Sequence, residues 1–128
     1  MTGFTVKTSR RVEFIDITDQ VAQAIRESGV TGGVATVFVP HTTAGVTINE
    51  NADPSVVRDI LAALDRLVPA DGDYTHSEGN SDAHIKSSMM GFSLQIIVEN
   101  GRPALGTWQG IYFTEFDGPR SRKVWVKL

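Results

Sequence analysis

Asn100-Gly101 is the strongest hairpin signal in the chain. Both residues tolerate positive φ, and a two-residue turn of that kind twists in the sense that paired strands require. Phe92-Ser93-Leu94-Gln95-Ile96-Ile97-Val98-Glu99 runs into it as a strand, and the return strand is expected over Ala104 to Gln109. Part of the sheet must therefore be antiparallel.

The remaining strands follow from alternation and β-branching. Phe4-Thr5-Val6-Lys7-Thr8 and Val12-Glu13-Phe14-Ile15-Asp16-Ile17 read as half-buried strands paired through a Ser9-Arg10-Arg11 turn. Gly33-Val34-Ala35-Thr36-Val37-Phe38-Val39 is nearly all apolar, which predicts a central strand covered on both faces. Val46 to Glu50, Ile111 to Phe116 and Lys123 to Leu128 complete the set. Helical spacing appears after Thr18, where Val21, Ala24, Ile25 and Ser28 mark one stripe and Gly29 supplies a left-handed end. Asp53-Pro54 opens the best helix, with Val56, Val57, Ile60, Leu61, Leu64, Leu67 and Val68 recurring until Pro69. Asp82 is placed to cap a short third helix from Ala83 to Met90, stopped by Gly91. The predicted architecture is a single α+β domain over residues 1–128. It has a large, mostly antiparallel or mixed sheet of about seven or eight strands packed with two or three helices.

Composition removes several functions. With no cysteine there is no disulfide, thiolate ligand or cysteine nucleophile, so any metal must be held by histidine or oxygen. A net charge of −3 gives no general attraction to nucleic acid or anionic membrane, and no apolar run is long enough to span a bilayer. The expectation is a cytoplasmic protein that binds neither.

What remains is a polar stretch, His76-Ser77-Glu78-Gly79-Asn80-Ser81-Asp82-Ala83-His84, without apolar periodicity. It holds two of the three histidines, and the third, His41, lies just past a predicted strand end in His41-Thr42-Thr43-Ala44-Gly45. If the two loops meet, His41, His76 and His84 make a three-nitrogen site with open positions, the arrangement of a catalytic zinc. Glu78 and Asp82 can accept from imidazole N–H groups, or simply cap and solvate the loop. Thr42, Thr43, Ser87 and Ser88 place hydroxyls nearby, although no nucleophile-elbow pattern surrounds either serine. Asp117-Gly118-Pro119-Arg120-Ser121-Arg122 brings two guanidinium groups on one turn, a phosphate clamp or a pair of solvated side chains.

Taken in order, His41-Thr42-Thr43-Ala44, Asn49-Glu50, the stretch from His76 to His84, Ser87-Ser88 with Gly91, Gly106-Thr107-Trp108-Gln109 and Asp117-Gly118-Pro119-Arg120 with Arg122 resemble the small YjbQ-like proteins, also called the secondary thiamine-phosphate synthase family. The resemblance spans nearly the whole chain. It implies a compact α+β fold, a homotrimer, and a weak thiamine-phosphate synthase activity that joins a pyrimidine diphosphate to a thiazole phosphate. A diphosphate leaving group suits magnesium with oxygen ligands, whereas three histidines suit zinc. The mismatch favours a metal-assisted hydrolase or phosphoryl-transfer site over a dedicated synthase. The expectation is thus a metal-binding enzyme for a small phosphorylated metabolite, either transferase-like or hydrolytic. His41, His76 and His84 would hold the divalent metal. Glu78, Asp82 and Ser87 would be catalytic, and Thr43, Ser87, Ser88, Arg120 and Arg122 would hold phosphate. The alternative is a trimeric binding protein for an anion, without turnover.

Overall fold

The computed structural model covers residues 1–128. Its strands divide between two antiparallel sheets. β1 (Thr2–Lys7), β8 (Ser121–Lys127), β3 (Gly32–Phe38), β5 (Ser93–Glu99) and β6 (Arg102–Pro103) form one in the order β1-β8-β3-β5-β6. β2 (Glu13–Asp16), β7 (Gln109–Glu115) and β4 (Ala44–Glu50) form the other in the order β2-β7-β4. Between them lies the main core, built from Ala35, Val37, Ile96, Val98, Val124 and Val126 on one side and Val46, Ile111 and Phe113 on the other. Helix α1 (Thr18–Ser28) adds Val21, Ala24 and Ile25 to the same core and ends on Gly29 at φ 74°. Helices α2 (Pro54–Leu67) and α3 (Ser81–Met90) meet the three-stranded sheet around Leu64, Ala83 and Phe116.

The Asn100-Gly101 hairpin forms as expected. Both residues have positive φ, 53° and 72°, and Glu99 pairs with Arg102. Asp53 caps α2 by accepting from Ser55 N–H at 2.9 Å, with Pro54 in the first turn. Three expectations change. The first two strands do not pair: β1 joins β8, and β2 joins β7 in the other sheet, because each finds its register on a C-terminal strand. The return strand of the hairpin is only Arg102–Pro103, and residues 104–108 form a loop that leaves Trp108 63% exposed. The strand β3 is covered on one face only. Ala35 and Val37 are fully buried, whereas Val34 is half exposed and Phe38 lies on the same outer face.

That outer face is unusually apolar. The Trp125 indole stacks on the Phe38 ring at 5.6 Å between centroids, and Phe38 meets Phe92 edge-on at 5.4 Å. Val34 stands opposite Ile97, which is 60% exposed. On the far side of Trp125 is Gly3, where a Cβ would come within 3.2 Å of the indole, so the missing side chain lets the ring lie flat.

Two close backbone approaches place the site. Val39 N–H donates to the Phe92 carbonyl at 2.7 Å, and Val46 N–H donates to the Gly91 carbonyl at 3.1 Å. Both ends of the loop carrying His41 are thereby tied to the segment that leaves α3. Gly45 allows this, since a Cβ there would lie 2.6 Å from the Gly91 carbonyl oxygen.

Candidate functional site

Two adjoining clefts open where the two sheets, α3 and the loop after β3 meet. One, about 570 Å³, is lined by Phe38, Pro40, His41, Thr42, Thr43, Phe92, Arg120 and Arg122. The other, about 450 Å³, is lined by His41, Thr42, Ala44, His84, Ser87, Ser88, Gly91 and Phe92. His41, Thr42 and Phe92 are shared, so His41 stands at the junction.

The arginine-bearing cleft has a rigid floor. Arg122 is 2% exposed and donates from Nε to Glu115 Oε1 and Oε2 at 2.9 and 3.1 Å. Its Nη2 donates to Glu115 Oε2, to Thr43 Oγ1 at 2.8 Å and to the Thr43 carbonyl at 3.3 Å. Glu115 is fully buried and also accepts from Thr8 Oγ1 at 2.8 Å, while Thr8 Oγ1 takes the Arg120 N–H at 2.9 Å. Burial alone would raise the Glu115 carboxyl, but the hydrogen bonds from Arg122 and Thr8 outweigh it and hold it below its ordinary range. Arg120 lies on the rim, half exposed, and bonds to the Asp117 carbonyl at 2.9 Å and to its carboxylate at 3.2 Å. Each arginine is thus matched by an acid. An anion here is met by aimed N–H donors more than by net positive charge.

At the junction the Lys123 N–H donates to His41 Nε2 at 2.8 Å. An imidazole nitrogen that accepts carries no proton, so the neutral ring bears its hydrogen on Nδ1. Desolvation, together with the charges of Arg122 and Arg120, holds the His41 pKa below its ordinary value of 6.5.

Beyond the junction the second cleft belongs to α3. Ser87 Oγ donates to the Ala83 carbonyl at 2.8 Å and Ser88 Oγ to the His84 carbonyl at 2.9 Å, the back-bonding typical of serine in a helix. Their protons are spent, and lone pairs are what they offer a ligand. His84 also borders a third cleft of about 510 Å³ with Asp73, Tyr74, Thr75, His76, Ser81 and Ile85. There His76 meets His84 edge-on at 5.4 Å between ring centroids, and Glu78 lies 4.0 Å from His76 Nε2.

The structure therefore brings His41 and His84 to one cleft, and His84 and His76 to another. No group of three or more histidine and carboxylate side chains gathers to hold a metal within the single chain. Asp82 is paired with Arg11 and Lys86 rather than with a histidine. It is fully buried, accepts Arg11 Nη1 and Nη2 at 3.1 and 3.0 Å, and has Lys86 Nζ at 3.6 Å. It does not cap α3, which starts at Ser81 after Asn80, two residues before the expected Ala83. Thr43, Arg120 and Arg122 do assemble, and Glu115, absent from the sequence-based candidates, proves to be the group that fixes Arg122.

Two antiparallel sheets, three helices and a two-part polar cleft at the sheet ends define a small α+β domain. The chain belongs to the YjbQ-like UPF0047 family, whose model matches residues 2–128. It is 58% identical to a UPF0047 protein of Methanocaldococcus jannaschii over 98% of this chain and 91% of the relative. It is 54% identical to the UPF0047 protein YugU of Bacillus subtilis over 96% and 94%. A crystal structure of an uncharacterized conserved protein of the same family from Clostridium acetobutylicum superposes with a TM-score of 0.97 at 65% identity, covering 99% of this chain and 98% of that one. A conserved hypothetical protein from Thermus thermophilus gives 0.93 at 45% identity, covering 100% and 99%. None of these names states an activity. No helix is long and apolar enough to cross a membrane.

Proposed function

We propose that this chain is an enzyme acting on a small phosphorylated metabolite, with the phosphate seated in the arginine-bearing cleft. The observation that carries the reading is the Glu115-braced Arg122 with Arg120, Thr43 and His41, a set of fixed polar groups lining a cleft of metabolite size. Bracing matters because a guanidinium already held in place loses little freedom when it takes up a phosphate. The weak thiamine-phosphate synthase activity implied by the family resemblance is one reaction to assay on this footing. The test is calorimetry and turnover with a panel of phosphate esters and diphosphates, with and without zinc or magnesium, on wild type and Arg120→Ala. Binding that falls about ten-fold in Arg120→Ala supports the reading. No binding and no turnover with any member of the panel removes it. Binding without turnover under every metal leaves the anion-binding alternative.

A second reading keeps the divalent metal, zinc by donor type, but moves it. The edge-on His76–His84 pair is compatible with two imidazole ligands on one ion, with Glu78 alongside. His41 takes no part in this arrangement, because the lone pair of its Nε2 is engaged by Lys123 N–H. Metal content of untagged protein, compared with His84→Ala, decides it. Equal and negligible metal in both eliminates this reading.

The homotrimer is proposed on the resemblance together with the bare sheet face around Phe38, Trp125, Val34 and Ile97. Light scattering should give three times the chain mass of 13.9 kDa, and a monomer at micromolar concentration would rule the assembly out.

A further inference from the structure

The two clefts offer opposite hydrogen-bonding character to one ligand. On the arginine side the charged groups, Arg120 and Arg122, are donors only, and His41 at the junction has only its Nδ1–H left to offer. On the α3 side, beside Thr42 and His84, Ser87 and Ser88 give their protons to the Ala83 and His84 carbonyls and offer a ligand their lone pairs. His41 cannot trade roles, since a proton on Nε2 would displace the Lys123 N–H from that lone pair. Burial near two arginines also disfavours the doubly protonated ring.

We propose that the combined cleft is polarised about His41, and that it selects a phosphate monoester carrying a hydroxyl or amino donor on its organic part. The oxyanion faces Arg120, Arg122 and His41 Nδ1–H, and the donor faces the Ser87 and Ser88 oxygens. This rests on the phosphate reading above and adds to it the other end of the substrate. A ligand with only acceptors at that end must either leave the serine lone pairs dry or break the serine–carbonyl bonds to be donated to, and it binds worse for that reason.

The probes are 2-hydroxyethyl phosphate and 2-methoxyethyl phosphate, which have the same charge and an oxygen at the same position, but only the first can donate. Calorimetry on the wild-type chain should show the hydroxyl compound binding about five-fold tighter. The Ser87→Ala, Ser88→Ala double variant should lose that preference, binding the methoxy compound at least as well as the wild type does, since the unpaired lone pairs are gone. Nitrogen-15 NMR of the free protein gives an independent readout, with His41 neutral and protonated on Nδ1 near pH 7. Equal affinities in the wild type, or a proton on His41 Nε2, overturns the polarised cleft while leaving phosphate binding intact. Failure of both probes and of inorganic phosphate to bind overturns the phosphate reading, and this inference with it.

Discussion

Glu115→Gln lowers the melting temperature by roughly 10–20 °C, corresponding to about 3–5 kcal/mol, the usual result of removing one member of a buried ion pair. Arg122 is 2% exposed and its Nε and Nη2 groups are directed at Glu115 and Thr43. Glutamine keeps the shape but not the charge, so a guanidinium remains buried without a counter-ion. Calorimetric melts check the loss, and the double variant Glu115→Leu with Arg122→Met identifies its cause. Removing both charges should recover most of the stability, because an apolar pair of similar volume costs little there. If the double variant melts as low as the single, unpaired charge is the wrong explanation. The pH dependence has a definite sign. The folded-state pKa of Glu115 lies below the ordinary 4.5, so the ion pair contributes fully above that value and is lost as pH falls through the depressed one. The gap between wild type and Glu115→Gln should therefore narrow below about pH 4.5.

This pair shows what the sequence held unread. In β7 the alternation puts Glu115 in phase with Ile111 and Phe113, which face the core. In β8 it puts Arg122 in phase with Val124 and Val126. An acid and a base each occupying an inward position on two strands is a legible sign of a buried pair. Neither reading of the Asp117–Arg122 turn, phosphate clamp or solvated arginines, contains it. Other failures had no such sign. The Ser9–Arg11 turn is locally a good hairpin, and only the pairing of β1 with Val126 to Ser121, and of β2 with β7, sends the two strands to different sheets. The apolar run in β3 looked doubly covered because composition cannot tell a core face from an exposed apolar one. The serines looked like phosphate donors because whether a helical hydroxyl bonds its own i−4 carbonyl is a rotamer choice, invisible without coordinates. Signals that need only local geometry, Asn100-Gly101 and Asp53-Pro54, are legible in the sequence by themselves.

Asp82→Ala should be comparably damaging, about 3–5 kcal/mol, for a reason that separates anchoring from catalysis. Its carboxylate is fully buried between the fork of Arg11 and the ammonium of Lys86. Burial pushes its pKa up, but Arg11 and then Lys86 more than offset this, so the folded-state value lies below the ordinary 3.8. Without Asp82, Arg11 swings into solvent, being 41% exposed, while Lys86 is only 3% exposed and keeps a charge with no partner. The damage should concentrate in the first turns of α3, read as lost amide-exchange protection over residues 81–86 and loosening of the His76–His84 contact. Adding Lys86→Met should restore much of the stability, and the deficit of the single variant should shrink below about pH 3.8, where the wild type begins to lose the same pair. A proton-transfer role would give the opposite pattern, with Asp82→Asn folding normally and losing turnover alone. Wild-type stability and exchange protection in Asp82→Asn would return Asp82 to the chemistry, and the anchoring account would be wrong.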